Sequence, residues 1–432
     1  MSRVRAGAFT SILGALAFTA LLSLSPALLV WAQGQGGPSG SLGYVAYTLI
    51  LYNNTLVSGN AIARSGSRLF PNAMAYDSSN GYIYVSDWGT NSVSVIDPAN
   101  DSVIGNIPVG VRPDAIAYDP SNGYIYVANG VSGSVSVIDA AEGEVIANVT
   151  VGVMPLGIAY DPANGYVYVT NMGSNTTSVI DPRNNSVIAN IGVGRWPWGI
   201  AYDASNGLIY VTNFESNTTT VVDPANGSVV ASVHVGRRPI AVAYDPSNGY
   251  VYVANAWSNT VSVIDPANET VIDNITVGRM PRAIAYDPAN GYLYVVNMGS
   301  DSVSVIDSRS DQVVGQIAVG RAPVSIVYDP SNCYIYVANN AYGTISVIEF
   351  PLSSITCTSP TETSATVTAT SLPSASTTSK VFSTAGTTTL TTPQSDAAAD
   401  LVEPLRPGRC LTILAVVVVV VLVMRPRRAL NG

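Results

Sequence analysis

A chain of 432 residues with a hydrophobic share of 47% has room for a sizeable core and for more than one domain. Its net charge of −9 argues against a nucleic-acid binder, which needs a basic surface to displace the counterions of phosphate. The acidity names no partner and mainly favours solubility.

In chain order, residues 1–32 begin with Arg3 and Arg5 and turn apolar from Ala6, with Val30 and Ala32 three and one residues ahead of a cleavage point. That is the pattern of a secretory signal peptide. An uncleaved N-terminal membrane helix is the alternative. No Cys lies near, so no N-terminal lipid anchor is expected. Residues 33–43 read as a linker into a folded domain over 44–350.

That domain is a repeat. The pair Tyr-Asp recurs every 42 residues in seven copies, from Tyr76-Asp77 to Tyr328-Asp329, each with a Pro five residues before the Tyr. The unit 111–152 holds four short β-branched or aromatic runs, at 115–118, 124–127, 135–138 and 145–151. Asp, Asn, Gly and Pro separate them, which predicts four antiparallel strands. Runs such as Tyr124-Ile125-Tyr126-Val127 are apolar on both faces, so each sheet needs cover on both sides. Radial stacking supplies that cover and predicts an all-β, seven-bladed β-propeller; a linear β-solenoid is the alternative. The last unit, 321–350, has only three strands. Its fourth must come from residues 45–52 or 56–63, and the echo of Ala189-Asn190-Ile191 in Asn60-Ala61-Ile62 favours 56–63.

Tyr168-Val169-Thr170-Asn171 and Tyr210-Val211-Thr212-Asn213, with close variants such as Tyr252-Val253-Ala254-Asn255, resemble the YVTN-type β-propeller repeat. The likeness extends over Pro-x-x-Ile-Ala-Tyr-Asp, Asn-Gly-Tyr-Val-Tyr-Val and Ser-Val-Ile-Asp and covers roughly residues 69–350. It implies kinship with archaeal and bacterial surface-layer proteins, which are envelope components rather than enzymes.

Residues 351–400 are rich in Ser, Thr, Ala and Pro and read as an extended stalk, either O-glycosylated or bare. Within 401–432, the apolar run from Leu411 to Met424 precedes Arg425, Arg427 and Arg428. This predicts a membrane anchor, with everything before it outside the cell, or a sorting tail that is removed. The expected location is therefore the cell surface.

The one His of the chain, His234, falls in an outer strand, so no Ser-His-Asp centre is expected. Neither Cys-x-x-Cys-His nor a His cluster occurs, and no cofactor or metal site follows. The repeated Asp at two turns per blade reads as turn chemistry, with a ring of Ca²⁺ ligands as the alternative. First strands offer Ala, Ile and Val to a central channel, so the expected function is non-enzymatic: envelope structure, adhesion, or binding of an envelope protein or glycan. A hydrolase, lyase or quinoprotein using the channel is the competing reading. Sequons stand at Asn53, Asn100, Asn148, Asn175, Asn184, Asn217, Asn226, Asn268 and Asn274. Cys333 and Cys357 are placed either to form a disulfide on one face or to remain free thiols.

Comparison among the repeats marks a working face. Turns between first and second strands, and between third and fourth, barely vary. The opposite face varies sharply and carries Trp88, Arg112, Met154, Trp196, Trp198, Phe214, Arg238, Trp257, Met280 and Arg282. These side chains either anchor a partner or glycan, centred on Trp196, Trp198 and Trp257, or cap the core between blades.

Overall fold

The computed structural model describes residues 44–52, 55–58 and 70–349. The signal, linker, stalk and C-terminal tail expected from the sequence, together with Asn53 and Cys357, lie outside the described residues. Two N-terminal strands, β1 (Tyr44–Tyr52) and β2 (Thr55–Ser58), precede the first blade. That blade runs β3 (Pro71–Tyr76), β4 (Ile83–Asp87), β5 (Ser92–Asp97), β6 (Ser102–Pro108) in spatial order. The second is β7 (Pro113–Asp119), β8 (Tyr124–Asn129), β9 (Ser134–Asp139), β10 (Glu144–Thr150). Four more blades follow the same order over 155–192, 197–234, 239–276 and 281–318. The seventh joins β27 (Pro323–Asp329), β28 (Tyr334–Asn339) and β29 (Thr344–Glu349) to β1 and then β2. The fold is thus a seven-bladed propeller of four-stranded antiparallel blades, with one short extra strand on the closing blade.

Burial changes from the axis outward as the apolar pattern demands. β8 and β9 are buried along nearly their whole length, whereas β10 alternates between exposed and covered positions. Second and third strands are apolar on both faces because each face meets a neighbouring blade. Tyr126, Val135 and Val137 of the second blade, for example, pack with Val167, Val169 and Ile180 of the third.

One tyrosine per blade is fully buried: Tyr84, Tyr126, Tyr168, Tyr210, Tyr252, Tyr294 and Tyr336. Its hydroxyl would be costly to leave dry. An Asn four residues earlier, in the turn between first and second strands, donates Nδ2 to it at 2.8–3.3 Å. The same Asn accepts, through Oδ1, the backbone N–H two residues on, at 2.8–2.9 Å. Desolvation pushes the Tyr126 hydroxyl up to about 12. The Asp opening each of these turns accepts the N–H two residues on, as Asp119 does from Ser121 at 2.9 Å. Turn formation accounts for this repeated Asp, and no cluster of metal-ligating residues occurs among the described residues.

At the far end of the second strand, a buried Asn donates Nδ2 to the third strand, as Asn129 does to Ser136 at 2.9 Å. In the first blade Asp87 takes this place. Lacking a donor, it accepts from Ser94 at 2.5 Å instead. Burial pushes its carboxyl up to about 7, against the hydrogen bonds from Ser94.

Closure differs from expectation in which segment supplies it. The fourth strand of the last blade is β1, antiparallel to β29, and the described part of the favoured segment, residues 56–58, lies in β2 on its outer edge. The register explains the choice. Thr48 pairs with Ser346 as Asn148 pairs with Ser136, and both pairings carry a bulge two residues past the strand start, between Val45 and Tyr47 and between Val145 and Ala147. The three-residue echo at Asn60 was outweighed by a nine-residue strand that reproduces the whole register, bulge included. β27 then packs on β3, and Tyr336, Ile345 and Val347 join Met74, Ile83 and Val85 in one core.

Two outcomes are expected. Deleting residues 44–58 leaves β29 with an open edge, so the variant should lose several degrees of melting temperature or oligomerise; a monomer with unchanged melting temperature would refute closure by β1. For Asp87 the sign is the reverse of a salt-bridged carboxylate. Its folded value near 7 lies above the unfolded ~3.9. The folded state therefore holds the extra proton, and stability falls as pH rises from about 4 to 7. Asp87→Asn should raise stability by on the order of 2–4 kcal/mol at pH 8, with the gain vanishing near pH 4. Urea melts at both pH values check this, and a gain equal at both pH values would count against it.

Candidate functional site

Each blade is entered through a residue followed by Pro. Arg112, Met154, Trp196, Arg238, Met280 and Ala322 hold this place with left-handed φ between 51° and 61°. Glycine would adopt that conformation freely, whereas an L-residue bears a cost of about 1–2 kcal/mol. Neighbouring blades impose it. The Trp196 N–H donates to Asn175 Oδ1 of the preceding blade at 2.9 Å, and its carbonyl accepts from the Phe214 N–H at 2.9 Å. Arg112, Arg238 and Met280 are bound in the same way to Asn91, Asn217 and Asn259. The arrangement fixes large side chains on the face where the sequence varies.

There the side chains gather. Trp196 stacks on Phe214 with centroids 6.2 Å apart, and Trp198 lies 5.3 Å from the same ring. The Arg238 guanidinium is held 4.7 Å from Phe214 and 4.8 Å from Trp257, and it pairs with Glu215. Farther round, Arg112 lies 4.4 Å over Trp88. Trp196 is 40% exposed and Trp257 53%, too open for caps of the core. Met154 is half-buried and Met280 exposed, and neither joins the aromatic cluster. Beside the left-handed position, four successive blades carry exposed Arg195, Arg237, Arg279 and Arg321, none ion-paired among the described residues.

The residue after each Pro lines the central channel: Asn72, Asp114, Leu156, Trp198, Ile240, Arg282 and Val324. The cavity there measures about 240 Å³. Sequence reading placed Trp198 and Arg282 on the varying face, whereas both line the channel, and it missed the other five. It took the channel from the constant Ala, Ile and Val positions, when the variable position directly after the Pro also faces inward. Asp114 and Arg282 therefore converge where only aliphatic groups were expected. Asn72 Nδ2 donates to the Asp114 carbonyl at 2.8 Å. Arg112 Nε stands 3.1 Å from Asp114 Oδ2 without hydrogen-bond alignment. Burial pushes the Asp114 carboxyl up to about 6, against the pull of Arg112 and Arg282. Space for it exists because the turn beside it is Gly130, where a Cβ would sit 2.1 Å from Oδ2. Arg282 lies 5.1 Å over Trp198 and makes no hydrogen bond or ion pair among the described residues.

Of the other expected residues, His234 is exposed at the end of the outer strand β18 (Ser228–His234). Asn100, Asn148, Asn184, Asn226, Asn268 and Asn274 are exposed, whereas Asn175 and Asn217 are half-buried with Oδ1 occupied as described. Cys333 takes φ 61° where the equivalent turns have Gly, and it is disulfide-bonded to a partner outside the described residues.

Residues 195–218, the stretch that carries Trp196, Trp198 and Phe214, match the NHL repeat. No curated protein matches the chain. Among solved structures, Kuenenia stuttgartiensis hydrazine synthase is 22% identical, with TM-score 0.60, over 68% of this chain and 99% of that one. Virginiamycin B lyase from Staphylococcus aureus is 15% identical, with TM-score 0.57, over 66% and 98%. At these identities the likeness is one of fold. Both of these neighbours are enzymes, so the fold contradicts the ground on which a non-enzymatic protein was expected and leaves catalysis open to it. The second ground for that expectation, an aliphatic channel, falls with Asp114 and Arg282.

Replacing Gly130 with Ala should drive the Asp114 carboxylate off its seat. Its titration, followed by carbon-detected NMR, should move from about 6 toward the ordinary carboxylate range. An unmoved midpoint would show that Gly130 does not hold that space open.

Proposed function

We propose that this chain is an exported, envelope-anchored propeller of the YVTN type that binds an acidic glycan on its Trp- and Arg-rich face. The observation that carries the reading is Arg238 held between Phe214 and Trp257 with Trp196 open beside them. Flat rings suit sugar faces, and forked guanidinium groups suit carboxylates. The arc Arg195, Arg237, Arg279 and Arg321 gathers exposed positive charge on a chain whose net charge is −9, which favours an anionic partner over a neutral one. The left-handed positions support the same reading, since they keep Arg, Met and Trp where glycine would be less strained.

A second reading, turnover of the bound ligand, is favoured by Asp114, whose carboxyl titrates near 6 and so exchanges protons readily close to neutral pH. The binding assay addresses it directly, because a substrate would be recovered chemically altered.

The triple variant Trp196→Ala, Trp198→Ala, Trp257→Ala should lose at least about 100-fold in affinity for an acidic polysaccharide such as polygalacturonate, with an unchanged circular dichroism spectrum. Undiminished binding by the folded variant, or failure of the native chain to bind acidic polysaccharides at all, overturns the proposal.

A further inference from the structure

We propose that the channel mouth is a separate binding site for a small monocarboxylate with hydroxyl groups, of the sugar-acid class, held by Arg282. The guanidinium lines the channel half-buried, with no protein hydrogen-bond or ion-pair partner among the described residues. Five N–H donors facing the cavity without a protein acceptor suit an anion. Trp198, 5.1 Å from the guanidinium, supplies a flat surface beside it.

Charge selects the class. Asp114 lies 3.1 Å from Arg112, which stands just outside the cavity, and also acts on Arg282, so the three groups together carry one net positive charge. One positive charge matches a carboxylate, while a dianionic phosphate would also face the Asp114 carboxylate. Size and shape agree. About 240 Å³ lies just below the usual ligand range of ~300–1,000 Å³ and suits a single ring. The walls are divided: Leu156, Ile240 and Val324 offer apolar contact, and Asn72 and Ser325 offer polar groups to a hydroxyl. The site is distinct from the exposed surface around Trp196 and Trp257, and Trp198 alone belongs to both.

Calorimetric titration of the purified full chain tests this with glucuronate, glucose, inorganic phosphate and polygalacturonate. Glucuronate should bind and glucose should not, and Arg282→Gln should weaken glucuronate at least tenfold without lowering the melting temperature. Glucuronate binding should survive Trp196→Ala with Trp257→Ala, which separates this site from the face. Binding of the polymer but not of the monomer would assign the carboxylate to a chain passing over the face and overturn the site. Asp114→Asn guards against a misfolded Arg282 variant: removing the opposing carboxylate should bring phosphate affinity up at least tenfold. No glucuronate binding, equal binding by Arg282→Gln, or a native preference for phosphate would each overturn the proposal.

Discussion

Every blade of this protein has two apolar faces, and everything else in the structure answers to that constraint. A sheet of this kind cannot stand at the end of a stack without leaving a row of Val, Ile and Tyr in water. The chain must therefore close on itself, and the last blade must borrow a strand from the start of the chain. β1 provides the fourth strand, and the joint between β27 and β3 becomes as apolar as any other, with Tyr336 and Met74 in one cluster. Closure is thus a requirement of the pattern rather than an addition to it.

Packing blades that tightly buries polar groups as well, and the repeat handles them locally. The turn Asn that satisfies a tyrosine hydroxyl also anchors its own turn, so one side chain fixes both a core residue and the strand that carries it. The buried Asn at the end of the second strand ties it to the third in six blades. Asp87 breaks that rule, and its raised titration is the consequence of putting a chargeable group where six blades use a neutral donor.

How much of this was legible in the sequence follows from what repeats and what does not. The 42-residue period, the turn residues and the apolar faces are local and periodic, and they fix blade number and strand order. The closing strand is not periodic. Its short-range resemblance favoured 56–63, while the decisive feature was a register with a bulge, which shows only when two strands are laid side by side. The clustering of Trp196, Phe214, Arg238 and Trp257 was legible because the repeats differ on that face, and these side chains do meet. The channel was not. Asp114 and Arg282 lie 168 positions apart in different blades, and only the closed ring brings them to the same cavity.

That last point bears on how such a scaffold acquires function. Each blade contributes one residue after its Pro to the axis, and the backbone there is set by the ring, not by the side chain. Leu156, Trp198 and Arg282 can therefore occupy equivalent positions without altering the blade. The left-handed residue before the Pro is subject to the same logic, since the N–H bond to the previous blade holds Arg112, Trp196 and Met280 alike. Two positions per blade, one on each side of the Pro, thus vary with little effect on the fold, one facing the channel and one facing outward. In this chain the inward set places a lone guanidinium opposite a carboxylate, and the outward set places arginine among aromatic rings. Both give positive charge and flat apolar surface to a protein that is otherwise acidic, which is why the same ligand chemistry, an anion with a ring, is proposed for the two sets.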